Sequence, residues 1–267
     1  MCAAAAFYEP LGESRFRATE ATMSPWDRRL QHGGPPAALA VAALEHTHPR
    51  PDMRVARIAI DMLGPMPIGD YHAQSRVVRP GRKVELLETT LEHEGRTTLV
   101  ARAWRIAFSE VSVEGLTPKE RAYAPPPLPP ADDRQFGFTF GYAEAVEMRF
   151  ASGRPDRAGP AVVWMRPRIP LLGGQPLRPL QRLLICADSA NGVSAEMPFS
   201  DWLFVPPSLT VNLLRYPSGD WICLDAKTAV AADGVGLTES ILADANGFVG
   251  AGAQPLFIER RVAVTAK

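Results

Sequence analysis

The sequence predicts an α+β protein in which one fold unit is written twice, each copy an antiparallel sheet wrapped around a central helix. Three observations predict it. A strand-rich passage from Ala56 to Phe108 is echoed from Ser208 to Arg261: Gly69-Asp70-Tyr71 falls over Gly219-Asp220-Trp221, and the hairpin signal Glu94-Gly95 over Asn246-Gly247. A helix-favouring run precedes each passage. Between the copies lies Ala124-Pro125-Pro126-Pro127-Leu128-Pro129-Pro130, which suits neither a helix nor a central strand. Two copies are too few for a repeat array, so the pattern is a tandem duplication.

Taken in order, Phe7 to Thr19 is loosely extended, and Ser24-Pro25-Trp26-Asp27 is a turn. Ala37 to His46 is apolar on every side and reads as a buried helix, with Pro35 and Pro36 in its first turn and Pro49 and Pro51 beyond its end. Extended segments follow at 54–63, 71–79, 83–93 and 97–108. In the second copy, Tyr142 to Ala151 and Ala161 to Pro167 are extended. Leu177 to Ala190 is helical, with Leu180, Leu183 and Leu184 on one face and Asn191-Gly192 as its stop. The expected division is 1–112 for the first unit, 113–135 for a proline-rich linker and 136–267 for the second, with a new strand pattern starting near Phe136.

Composition narrows the function. Lysine plus arginine equals aspartate plus glutamate at 29 each, so no global field recruits nucleic acid or an anionic membrane. The three cysteines have no CxxC spacing, which argues against a disulfide framework or a zinc site and for a reducing compartment. The first residues lack a basic segment followed by a long apolar one, so no signal peptide is expected, and no apolar run is long enough to span a membrane. A cytoplasmic location is the expectation. There is no GxSxG elbow and no phosphate-binding GxxxxGK[ST] loop; Gly234-Val235-Gly236 lacks the third glycine of a dinucleotide site, and the histidines are too scattered for a metal motif.

Several segments together resemble the double hot-dog acyl-CoA thioesterases of the bacterial thioesterase II type. They are Trp26-Asp27 with His32-Gly33-Gly34-Pro35-Pro36-Ala37, Arg79-Pro80-Gly81-Arg82-Lys83-Val84-Glu85, Ala187-Asp188-Ser189-Ala190-Asn191-Gly192, Gly219-Asp220-Trp221, Gly234-Val235-Gly236-Leu237 and Gly250-Ala251-Gly252-Ala253-Gln254. The resemblance covers nearly the whole chain. It implies hydrolysis of an acyl-CoA thioester by an activated water, a role in fatty acid metabolism, and neither metal nor cofactor. It further implies a carboxylate, a hydroxyl residue and a glutamine around the water, with backbone amides at a buried helix start polarising the carbonyl. Gln254 matches the glutamine and Thr228 the hydroxyl residue. The family pattern Asp-Leu-Thr-Val-His is here Ser208-Leu209-Thr210-Val211-Asn212, so Ser208 stands where the resemblance implies the carboxylate. A serine cannot serve as a base near neutral pH. Three outcomes stay open: a weak enzyme relying on Gln254 and backbone polarisation, a base relocated to Asp188 or Asp61, or an acyl-CoA-binding protein without hydrolysis. A hydratase of the same superfamily is a more distant option, for want of an Asp/His pair.

The residues themselves carry competing expectations. Gly33-Gly34 offers amides at the positive end of a helix, or simply lets the chain approach the sheet. His32 orients substrate or water, or packs. Gln254 sits among small residues, which implies that something packs close. Asp188, near a helix end where its charge opposes the dipole, is catalytic or a turn cap. Asp61 is expected on an exposed face, and Asn212, its counterpart in the second copy, to donate into the cleft. Arg79 and Arg82 flank a turn suited to CoA phosphates or to solvent. Met62, Met66, Met148 and Met165 line an acyl tunnel or fill the core. Self-association through sheet edges is open.

Overall fold

The structure is a computed structural model that describes residues 4–47, 49–108, 122–131 and 139–261. The first half contains β1 (Tyr8–Gly12), β2 (Arg15–Ala18), α1 (Gly34–Thr47), β3 (Met53–Met62), β4 (Asp70–Arg79), β5 (Val84–His93) and β6 (Arg96–Ala107). The second contains α2 (Gly141–Ala145), β7 (Val146–Ser152), β8 (Ala161–Pro167), α3 (Pro179–Ala187), α4 (Ala190–Val193), β9 (Trp202–Val205), β10 (Ser208–Leu213), β11 (Ile222–Val230), β12 (Val235–Asp244) and β13 (Gly247–Arg260).

The thirteen strands among the described residues form one sheet in the order β1-β2-β4-β5-β6-β3-β10-β13-β12-β11-β8-β7, with β9 paired to β13. The two halves mirror each other about an antiparallel seam in which Asp61 faces Ser208 and Arg57 faces Asn212. Register shows how closely. Asp61 pairs with Val100 and Asn212 with Ala251, both partners displaced by 151 positions. The same displacement carries Leu86–Trp104 onto Leu237–Pro255, and His72–Glu92 onto Cys223–Ala243. Low sequence identity has therefore left strand register intact, because slippage by one residue would turn every core side chain to solvent.

The helices fill the concave face. Ala37, Ala38, Leu39, Ala40 and Val41 are fully buried, as expected for a helix apolar all round. On α3, Leu180, Leu183 and Leu184 are fully buried too. The two helices touch through Gly34: a Cβ there would stand 2.3 Å from the Ile185 carbonyl oxygen, so only glycine lets the start of α1 reach the end of α3.

Two local expectations need correction. Tyr142–Ala145 is a short helix rather than strand, and extension begins at Val146. Asn191-Gly192 does not stop the helix. The break falls at Asp188-Ser189, and both residues lie inside α4. Residues 122–131 of the proline-rich segment carry no helix or strand and lie against the sheet face away from the helices. There the Tyr123 hydroxyl donates to Asp225, Trp164 Nε1 to the Pro126 carbonyl and Arg149 to the Pro129 carbonyl. The remainder of the expected linker, and Phe136, lie outside the described residues. Among the described residues no helix is long and apolar enough to cross a membrane.

Replacing Gly34 by Ala is expected to push α1 off α3. Overpacking of this kind costs about 1–3 kcal/mol, so the thermal midpoint measured by circular dichroism should fall by several degrees. An unchanged midpoint would show that the helix contact is loose.

Candidate active site

A cavity of about 400 Å³ opens where the loop before α1, the loop after β3, α2, the α3–α4 junction and the β9–β10 connection converge. Its walls are largely apolar and include Trp26, Met62, Met66, Met148, Phe199 and Phe257. Into this apolar space reach His32, Asp188, Ser189 and Asn191.

Asp188 is the centre of the polar group. Its carboxylate sits at the C-terminal end of α3, where its own helix dipole opposes a negative charge, but the facing start of α1 supplies the compensation. The backbone N–H groups of Gly33 and Gly34 donate to it. Gln254 Nε2 donates to Oδ1 at 3.1 Å and to the Asp188 backbone carbonyl at 3.3 Å. A Cβ on Gly33 would lie 2.8 Å from Oδ2, so glycine is what lets the carboxylate come this close to the backbone. Burial outweighs these donors and pushes the Asp188 pKa up to about 7.

His32 is fixed beside it. The Gly34 N–H donates to His32 Nδ1 at 3.1 Å, which places the ring proton of a neutral imidazole on Nε2. Burial holds the imidazole pKa down at about 3, so the 3.3 Å approach of Nδ1 to Asp188 Oδ2 is not an ion pair at neutral pH. The ring lies parallel to Tyr142 with centroids 3.8 Å apart. Tyr142 is anchored in turn: its hydroxyl donates to the Ile185 carbonyl at 2.7 Å and meets Ser189 Oγ at 2.8 Å. His32 Nε2 has no hydrogen-bond partner among the described residues, and the residue lines the cavity.

Gln254 belongs to a polar row on the concave face. Thr238 is its cross-strand neighbour, and Thr228 is the next. Thr228 Oγ1 meets Thr238 Oγ1 at 2.8 Å and Ser194 Oγ at 2.9 Å. The displacement of 151 residues that relates the halves maps Thr228, Thr238 and Gln254 onto Val77, Leu87 and Ala103, which are cross-strand neighbours in the same order. The first half thus fills with hydrocarbon the place where the second half keeps hydrogen-bonding groups. One atom of this row is left over. Gln254 Oε1 is buried and accepts no hydrogen bond among the described residues, which costs free energy unless a ligand or water meets it.

The structure therefore gathers Asp188, Gln254, His32, Gly33 and Gly34, with Thr228 two strands from Gln254. The glycine amides expected to face a substrate carbonyl face the Asp188 carboxylate instead. Ser208 stands apart, half-buried at the seam opposite Asp61, and among the described residues no hydrogen bond joins it to this group. Asn212 is exposed rather than directed into the cleft, as is Asp61. Arg79 and Arg82 are exposed and line no part of the cavity; Arg79 donates to the Val84 carbonyl. Three of the four methionines line the cavity, whereas Met165 is in the core. Close packing around Gly250 is also present, a Cβ there meeting the Asn212 carbonyl oxygen at 2.2 Å. Tyr142, Ser194 and Thr238 escaped sequence reasoning. Only Thr238 carried a signal, as a polar residue alternating toward the face that holds Gln254.

Two family patterns match the chain: the acyl-CoA thioesterase N-terminal domain over residues 22–106 and the acyl-CoA thioesterase C-terminal domain over residues 121–258. No curated protein matches it. Among solved structures, a hot-dog-fold protein of unknown function from Alicyclobacillus acidocaldarius superposes with a TM-score of 0.70 at 16% identity, covering 96% of each chain. A candidate thioesterase from Novosphingobium aromaticivorans gives 0.68 at 20% identity, over 94% of this chain and 98% of the other. The acyl-CoA thioesterase II TesB2 of Mycobacterium marinum gives 0.66 at 18%, over 97% and 96%. At these identities the structural likeness establishes the fold.

The raised Asp188 pKa has a consequence for stability. The folded state holds this proton more tightly than the unfolded chain does, so the contribution of Asp188 falls as pH rises from about 4 through about 7. Asp188→Asn removes the titration. The thermal midpoint of the variant minus that of the parent should therefore grow across this window and level off above it. A difference that stays constant with pH would show that Asp188 ionises normally.

Proposed function

This chain belongs to the acyl-CoA thioesterase family, with the N- and C-terminal domains in tandem as a double hot-dog, and from that premise we propose that it hydrolyses an acyl-CoA thioester with a water activated by Asp188. The observation that carries the proposal is a buried carboxylate of pKa about 7 that lines an apolar cavity and is hydrogen-bonded to Gln254, whose own Oε1 has no partner among the described residues. A base is most useful when its pKa lies near the working pH.

In this scheme the acyl group lodges among the apolar walls. Water donates one proton toward Gln254 Oε1 and the other toward Asp188. The Nε2–H of neutral His32 polarises the thioester carbonyl, a task left to it because the Gly34 amide donates to His32 Nδ1 and both glycine amides face Asp188. A neutral imidazole is a suitable donor here, since it stabilises the developing oxyanion without protonating it. Water oxygen bonds to the carbonyl carbon as Asp188 takes its proton. The tetrahedral intermediate then expels the thiolate, and Asp188 returns the proton to sulfur, leaving a carboxylic acid and the CoA thiol. Thr228, through Thr238 and Ser194, stiffens the row that holds Gln254.

The alternative, acyl-CoA binding without hydrolysis, was motivated by Ser208. With Gln254 bonded to Asp188, a carboxylate at position 208 is not required for the chemistry above. A panel of acyl-CoA thioesters followed by thiol release, with calorimetric binding on the same samples, tests both readings. Asp188→Asn is expected to lower kcat by about 10²- to 10⁴-fold and Gln254→Ala to lower it strongly, each leaving binding largely intact. For the parent protein, kcat/KM should rise with pH through about 7, since only ionised Asp188 accepts the proton. Tight binding with no turnover across the panel would replace the hydrolase reading by the binding one.

A further inference from the structure

A second concavity of about 580 Å³ shares no lining residue with the first. It lies between the end of β8, the loop that follows it, the start of α3 and the turn before β11. Arg166, Arg168 and Arg182 project into its lining, with Asp220 as the one acidic residue there. Behind the wall, Glu147 is shared among three guanidinium groups: Arg149 at 2.6 Å, Arg166 at 2.6 Å and Arg168 at 3.7 Å. Arg182 spends its donors on the Gly219 carbonyl at 2.8 Å and reaches Asp220 at 3.4 Å. Four arginines thus meet two carboxylates in a chain whose charges otherwise balance at 29 each. Arg149 and Arg166 also stand over the Trp221 ring, at 4.7 and 4.8 Å from its centroid, which fixes where their charge is held.

Two features separate this cluster from an ordinary structural network. Arg166 Nε is buried without a partner, and the guanidinium of Arg168 makes no hydrogen bond among the described residues. Its side chain is half exposed, so its donors are free to meet a solute. Guanidinium forks pair bidentately with phosphate as readily as with carboxylate, and with Glu147 shared among three arginines the donors left over on this concave surface suit an anion from solution. A local positive excess within a low-dielectric wall also concentrates anions there.

We propose that this concavity binds a phosphate group, presented either by the nucleotide end of CoA or by a free phosphate compound. The test is calorimetric titration of the full chain at low salt with adenosine 3′,5′-bisphosphate and, separately, with inorganic phosphate. At least one of the two binds the parent protein, and Arg168→Glu weakens that binding by about tenfold or more. Arg168 is exposed and outside the catalytic group, so the variant keeps its thermal midpoint and serves as its own folding control. Thiol-release kinetics then separate the two sources. A raised KM for acyl-CoA at unchanged kcat, with acyl-pantetheine unaffected, assigns the phosphate to the substrate. An unchanged KM with bisphosphate or phosphate binding lost assigns it to a separate ligand. The proposal fails if neither probe binds the parent, or if both bind Arg168→Glu as tightly as the parent. The binding arm requires no turnover, so its failure is distinct from failure of the thioesterase reading.

Discussion

The end-on contact between two helices is what the rest of this molecule is arranged to permit. α1 begins where α3 finishes, and the amides of Gly33 and Gly34 meet the carboxylate of Asp188. Each partner is poorly placed alone. A carboxylate at a helix C-terminus opposes the local dipole, and the first N–H groups of a helix lack intrahelical partners. Placed together they compensate each other. The contact needs two helices lying across one concave face, hence two sheets joined at their edges, hence the antiparallel seam between β3 and β10. It also needs glycine at positions 33 and 34, because a Cβ at either meets protein atoms at under 3 Å.

Duplication explains the scaffold but not the candidate site, which takes His32, Gly33 and Gly34 from one half and Asp188 and Gln254 from the other. Strand register along this row is kept across the two halves, although β4 has a bulge between Val77 and Arg79 that β11 lacks, whereas the side chains on the row have diverged to Thr228, Thr238 and Gln254 in one and Val77, Leu87 and Ala103 in the other. The physics of the two rows differs accordingly. A hydrocarbon row is satisfied by packing and tolerates no vacancy, while a polar row requires every donor and acceptor to be met. The half that carries the polar row also holds the orphan acceptor, Gln254 Oε1.

Much of the fold was legible in the sequence because its signals are local. Hairpin turns at Glu94-Gly95 and Asn246-Gly247, alternation along the strands and the all-apolar run of α1 each report their own structure over a few residues. The seam and the helix contact are long-range, and no local pattern announces them. Asn191-Gly192 resembled a helix stop, yet Gly192 lies within α4 and is not among the glycines in the left-handed region. The carboxylate was the hardest residue to place. The family resemblance implies a carboxylate where this chain has Ser208 and leaves Asp188 and Asp61 as alternatives, while the backbone carries Ser208 to the seam and brings Asp188 to Gln254 from 66 residues away in the chain. The stacking of His32 on Tyr142, 110 positions apart, left no trace in either segment.

Whether Asp188 is merely a turn cap can be argued from its environment. A cap chosen for stability would accept its hydrogen bonds near solvent, where three donors depress a carboxylate pKa and strengthen the fold at neutral pH. Here the same donors are present and burial still raises the pKa to about 7, so ionisation costs the fold more than the donors return. Serine or asparagine would satisfy the Gly33 and Gly34 amides without that cost. Tyr142 and His32 add a second rigid layer around the carboxylate, with its hydroxyl tied to Ile185 and Ser189. Such an expensive, tightly supported acid beside an apolar cavity is what the proposed proton transfer at Asp188 requires, and more than a turn cap requires.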